Sequence, residues 1–150
     1  MKDYTVDKLR NVCLMSHGGA GKTTLTEAML FNTKVLDRLG KVNDGNTTTD
    51  YDPEEIKRKI TINTAIAPCE WKDYKINVID TPGYFDFVGE VKQGIRVSDG
   101  AVILLSAKSG VEVGTEKSWD YAKEMGIPMF FFIGKMDEEN ANFNESLNQL

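Results

Sequence analysis

The sequence predicts an α/β fold: a mainly parallel sheet with helices on both faces and one antiparallel edge strand. Three observations carry this. Short apolar runs alternate with segments of helical period along the 150 residues. Lys72 and Asp73 make a tight turn between two strand-like runs, which sets one antiparallel pairing. Elsewhere strand and helix take turns, the pattern of crossovers between parallel strands.

Val12 to Met15 reads as a buried strand. Glycines follow, then a helix from about Lys22 with Leu25, Ala28 and Met29 on one face. Leu39 to Pro53 is rich in Gly, Asn, Thr and Asp and reads as loop. Ile62, Thr64 and Ile66 alternate with Asn63, Ala65 and Ala67, the mark of a half-exposed strand. Tyr74 to Ile79 is its hairpin partner. Val88, Val91 and Ile95 mark a helix face, and Ala101 to Leu105 is another buried strand. A helix with Trp119 and Ala122 inward stops near Gly126 and Pro128. Met129 to Ile133 is the next strand. Trp71, Trp119 and the Phe130 to Phe132 run read as core or sheet-face residues. Asn142 with Glu145 resembles a capping box, and Phe143, Leu147 and Leu150 share one helical face. That helix has barely begun at Leu150, so the 150 residues read as an incomplete domain from the start of a longer protein.

Composition excludes several classes. Acidic residues number 23 and basic ones 18, a net charge of −5, which excludes a generic basic nucleic-acid binder and gives no expectation of DNA binding. Two cysteines and one histidine cannot build a disulfide scaffold, a four-thiolate zinc site or a histidine cluster. No apolar run approaches the ~18 residues of a membrane span. The charged N-terminus lacks an apolar signal core, and Cys13 and Cys69 fit a reducing cytosol, so a cytoplasmic location is expected.

Three motifs carry chemistry. Ser16-His17-Gly18-Gly19-Ala20-Gly21-Lys22-Thr23 lies between the first strand and the first helix. It matches the phosphate-binding pattern at Gly21, Lys22 and Thr23, with Ser16 in place of the first glycine. Glycines at 18, 19 and 21 let backbone N–H groups turn around an anion, and the helix N-terminus adds positive potential. Lys22 is placed to reach the β- and γ-phosphates, and Thr23 offers a hydroxyl to Mg²⁺. Asp80-Thr81-Pro82-Gly83 follows a strand at the same sheet edge. Asp80 can hold Mg²⁺ directly or through water, and Gly83 puts an N–H where a γ-phosphate sits. Gly134-Lys135-Met136-Asp137 follows the last strand. A carboxylate at Asp137 accepts hydrogen bonds from guanine N1–H and N2–H₂, which adenine cannot return, and the Lys135 stem can lie on the base.

In this order, each after a strand, the motifs resemble the G domain of translational GTPases of the elongation factor G type, in its glycine-loop form. The likeness includes His17 to Thr24, Thr47-Thr48-Thr49-Asp50-Tyr51, Asp80 to Phe87 and Ser106 to Val111. It implies a P-loop G domain that binds GTP or GDP with Mg²⁺, followed by further domains, and ribosome-stimulated GTP hydrolysis coupled to a translocation-type step. It implies the ribosome as partner, no membrane and a monomer. By the same resemblance Thr24 belongs to the phosphate loop and Arg58 to Ile62 form switch I. Thr61 then supplies a second hydroxyl to Mg²⁺, and Lys57, Arg58 and Lys59 face ribosomal RNA. The family's last guanine-contacting loop, sixth strand and final helix fall beyond Leu150 in this picture. The residues alone are therefore expected to be marginally stable and to bind GDP poorly.

Three positions depart from that pattern. Tyr84 stands where the family has a histidine that positions the attacking water; with Lys22 it is a candidate catalytic residue. A phenol donates and accepts a hydrogen bond but supplies no imidazolium, so hydrolysis is expected to be slow or to use Tyr84 as a water-orienting group. Gly134 replaces an asparagine that contacts the base, at a cost of about 1 kcal/mol. Gly19 replaces an aspartate. Competing readings are a ribosome-protection or release-type GTPase, a GTP-binding module with impaired hydrolysis and, more distantly, a partition-type P-loop ATPase.

Overall fold

The computed structural model describes residues 2–150. Five strands form one sheet: β1 (Leu9–Ser16), β2 (Ala65–Trp71), β3 (Tyr74–Asp80), β4 (Gly100–Ser106) and β5 (Met129–Gly134). Their spatial order is β2-β3-β1-β4-β5. Only the β2–β3 hairpin is antiparallel; β1 pairs in parallel with β3 and β4, and β4 with β5. The helices are α1 (Lys22–Asn32), α2 (Pro53–Arg58), α3 (Val88–Arg96), α4 (Val113–Met125) and α5 (Phe143–Asn148). None of the described helices is long and apolar enough to cross a membrane.

Strand alternation makes β1 the centre of two cores. Val12 and Leu14 point to the α1 side and pack with Leu30, Ala67, Val78 and Leu104. Cys13 and Met15 point to the other side and pack with Val91, Ile95 and Ala122 of α3 and α4. Both cysteines are buried, and burial pushes the Cys13 thiol up to about 12, so it packs as a small apolar group. Because β1 is covered on both faces and both edges, the loop leaving it is held firmly. Thr81 adds a pin: its hydroxyl donates to the Leu14 carbonyl at 2.7 Å, tying the turn after β3 to β1.

Several expectations need correction. The strand read from Ile62 starts at Ala65, because side-chain carboxylates take the earlier backbone donors. Glu55 accepts from the Ile62 and Asn63 N–H groups, each at 2.9 Å, and Glu90 accepts from Thr64 N–H. In β2 the small residues Ala65, Ala67 and Cys69 face inward while Ile66 is exposed. The Leu39 to Pro53 stretch contains a 3-10 turn at Val42–Asp44 and leads into α2, which the loop reading missed. The signal was there: Asp52 and Glu55 form a capping box with Pro53 at the first helical position.

Aromatic residues lie further out than expected. Trp71 is exposed at the hairpin end, Phe130 and Phe132 are exposed on β5, and Trp119, expected inward, is exposed as well, stacked on Phe131 at 5.6 Å. Asn142 does cap α5, accepting from Glu145 N–H at 3.1 Å. Phe143, Leu147 and Leu150 share a face that is exposed, and α5 docks instead through Ser146 to the Ala107 carbonyl and Gln149 to Val111 N–H.

Candidate functional site

The carboxyl ends of β1 and β3 and the start of α1 meet at a cavity of about 490 Å³. It is lined by Gly18, Gly19, Gly21, Lys22, Thr23, Thr24, Thr61, Gly83, Tyr84 and Lys135, with Asp50 and residues of the Leu39 to Asn43 segment closing the side. Most of the residues read from the sequence are therefore brought together. The loop between β1 and α1 turns through Gly19 at φ +81° and Gly21 at φ +106°, where a side chain would be strained. Gly18 is not among the positive-φ glycines.

Lys22 is 5% exposed, and its ammonium donates to Ser16 Oγ at 2.8 Å and to the His17 carbonyl at 3.5 Å. Ser16 thus serves the lysine rather than the cavity. Burial pulls the Lys22 ammonium down to about 8, against the attraction of Asp80. Asp80 ends β3, fully buried, and burial pushes its carboxyl up to about 6, against Lys22 and hydrogen bonds from Thr49 and Thr23. Asp80 Oδ2 accepts from Thr49 at 2.9 Å, while buried Oδ1 has no partner among the described residues. An orphaned buried carboxylate oxygen behind a ring of hydroxyls lacks one cationic or donor partner.

The segment carrying Asp50 and Thr61 covers this end. Thr23 and Thr61 hydroxyls lie 3.0 Å apart, and Thr61 donates to Asp50 at 2.8 Å. Burial raises the Asp50 carboxyl, and the Thr61 bond opposes that. Glu27, 1% exposed on α1, accepts from Gly40 N–H at 2.9 Å and Thr48 N–H at 2.5 Å. Glu27 and Glu55, which hold backbone beside the cavity, were not singled out by pattern reading, and Thr49 and Asp50 entered only within a likeness, without roles. For Glu27 the one sequence signal is an acid on the inner side of a helix; for Glu55 it is the capping-box spacing after Asp52.

Other expected residues lie elsewhere. His17 is outside the cavity lining, 3.8 Å from Glu112 and edge-on to Phe85. Ala20 packs into the α1-side core. Gly134 ends β5 outside the cavity lining, and Asp137 is exposed beyond it. Lys135 reaches the cavity wall but is paired with Glu138 at 3.0 Å. Lys57 and Arg58 are exposed and engaged with Glu54.

The family model of the elongation factor Tu GTP-binding domain matches residues 7–150. The chain belongs to that family. Over its full length this GTP-binding domain is 44% identical to an elongation factor G of Granulibacter bethesdensis and spans 22% of that protein. A crystal structure from Thermus thermophilus superposes with a TM-score of 0.91 at 40% identity, covering 94% of this chain and 21% of that one. A bacterial selenocysteine-specific elongation factor shares the fold, with a TM-score of 0.75 at 23% identity over 95% of this chain and 22% of that one. The domain thus spans about a fifth of the relatives it matches. Membership in a GTP-binding family removes the partition-type ATPase reading.

Proposed function

We propose that these residues are the GTP-binding part, an incomplete G domain, of an elongation factor G-like cytoplasmic protein that hydrolyses GTP on the ribosome in a translocation-type step. The observation that carries this is a buried Lys22 ammonium, held by Ser16, and a buried Asp80 carboxylate with one unpartnered oxygen, both at the glycine-turned loop and each within the other's electrostatic reach. It is a cationic anchor in the cavity wall and a carboxylate lacking a partner buried behind it. GTP or GDP is the ligand class, with phosphates against Gly18 to Thr24 and the base toward Gly134, Lys135 and Asp137.

Mg²⁺ fits the donor set. Asp80 Oδ1 is an unpartnered oxygen, and the Thr23 and Thr61 hydroxyls already adjoin each other at 3.0 Å. Thr23, Thr61 and Asp80 would hold the ion, which neutralises phosphate charge when bound. Lys22 places a positive charge on the transferring phosphoryl group and Gly83 brings an N–H beside it. Tyr84 is the side chain at the position where an attacking water is oriented.

The test is GTP cleavage by the whole protein with and without ribosomes. Ribosome-stimulated release of phosphate from GTP and not ATP supports the reading. GTP-dependent ribosome binding without turnover would identify a non-hydrolysing module instead. Turnover without movement of tRNA and mRNA would favour a protection or release role.

A further inference from the structure

The three glycines of the phosphate loop are needed for different reasons. Gly19 and Gly21 adopt positive φ, and a Cβ added to either meets nothing within 4 Å. Gly18 is the reverse case. Its φ is ordinary, yet an added Cβ would lie 2.9 Å from Tyr84 Cζ, 3.0 Å from Cε2 and 3.1 Å from Cε1. The phenol ring of Tyr84 rests on the bare backbone of Gly18. The neighbouring contact is as close: a Cβ on Gly83 would fall 2.8 Å from Gly18 Cα and 2.5 Å from Lys22 Nζ. The turn after β3 and the phosphate loop therefore touch backbone to backbone, with the ring as the next layer.

We propose that Gly18 is a positioning residue for Tyr84. Its missing side chain forms the seat that holds the phenol against the phosphate loop, so positions 18 and 84 work as a size-matched pair. The seat sets where the hydroxyl sits relative to Lys22 and the cavity. A methyl group at 18 would push the ring outward into the solvent that already reaches it, because Tyr84 is 44% exposed. The displaced ring keeps its chemistry and loses its place.

The seat stands on geometry; only its kinetic consequence rests on the GTP hydrolysis proposed above. The test is a double-mutant cycle in the full chain with Gly18→Ala, Tyr84→Ala and both together. In nucleotide-free thermal denaturation, Gly18→Ala lowers the midpoint by roughly 3–6 °C with Tyr84 present, the usual scale of overpacking. In the Tyr84→Ala background it changes the midpoint by about 1 °C or less. Tyr84→Phe keeps the ring and preserves the large drop. In single-turnover GTP cleavage at saturating nucleotide, Gly18→Ala slows the step about tenfold with Tyr84 and less than about twofold in the Tyr84→Ala background.

Equal midpoint drops in both backgrounds overturn the seat, as does Gly18→Ala failing to fold in both. A variant that folds only in the Tyr84→Ala background supports it. Thermal coupling in a protein that binds no GTP would leave the seat standing and overturn the proposed function instead.

Discussion

At the phosphate end of the cavity, Lys22, Thr23 and Asp80 are 5%, 6% and 0% exposed, whereas at the base end Asp137 is exposed and Lys135 is paired with Glu138. The difference follows from strand position. β1 is flanked by β3 and β4, and the loops leaving β1 and β3 are fixed by neighbours on both sides. β5 has β4 as its one strand neighbour, and the loop leaving it has little to lean on among the described residues. Preorganisation for triphosphate is therefore built into the fold at the expense of buried charge, while Asp137 at the base end lies in solvent. Lys22 and Asp80 are both desolvated, which destabilises the empty domain and primes it for phosphate and a cation.

The sharpest way to break this contrast is Lys22→Met, which keeps length and removes charge. GTP affinity should fall about 100-fold or more, since a charge-assisted bond in a dry site is lost. The empty protein's stability should change little, because relief of the buried ammonium is offset by the lost attraction for the buried Asp80 carboxylate. Nucleotide titration and chemical denaturation of one sample check both. A stability loss alongside the affinity loss would show that Lys22 is structural.

Asp80 tests the same end through pH. Its folded pKa, about 6, lies above the ordinary 3.8, so the fold holds a proton that the unfolded chain has released between those values. Its contribution is complete below pH about 4 and is lost as pH rises through about 6. Lys22 runs the other way: its folded pKa of about 8 lies below 10.5, so its burial cost is relieved as pH rises from 8 toward 10.5. The empty domain should meet its largest combined penalty between pH 6 and 8. Relative to Asp80→Asn, the parent should lose on the order of 2–3 kcal/mol between pH 4 and 7 in nucleotide-free denaturation. A flat difference across that range would mean Asp80 is not desolvated as the fold suggests.

Legibility in the sequence follows the same division. The strand-loop-helix of Val12 to Leu30 could be read because each signal is local: an apolar run, glycines at the turn, then helical spacing. The hairpin at Lys72-Asp73 was equally local; both residues take positive φ in the turn. What escaped depends on distant partners. Thr64 pairs with Glu90 across 26 positions, and Thr49 with Asp80 across 31, so no window of sequence contains both members. The aromatic residues on β5 lie on the sheet faces rather than in the core, a choice the sequence left open because apolar runs look alike whether the strand is central or at an edge. Glu27 and Glu55 look like surface acids until the backbone donors they collect are brought around them.

At the base end, Asp137→Ala should cost about tenfold in GTP affinity, below what two charge-assisted bonds give in a buried site, because an exposed carboxylate exchanges its bonds with water. ATP binding should hardly change, so the ratio of the two affinities, measured by competition, narrows. If both nucleotides weaken equally, Asp137 supports the loop without reading the base.

The smallest effect should come from Gly134→Asn, which adds a side chain where the base end lacks one. Gly134 has no positive φ, so asparagine fits its backbone. Its Cβ would lie 3.2 Å from Phe132 Cε1, tight against a ring that is 40% exposed and free to yield outward. The added amide can donate to a base nitrogen and brace the phosphate loop, for about 1 kcal/mol or roughly fivefold tighter GTP. Isothermal titration with GTP and with GDP reads it, and the gain should be equal for both because the base is common to them. A gain for GTP alone would place the new amide near the phosphates, making the two ends of the cavity less independent than their burial suggests. No gain at all would mean that the limiting cost at the base end is ordering the Lys135 to Asp137 turn.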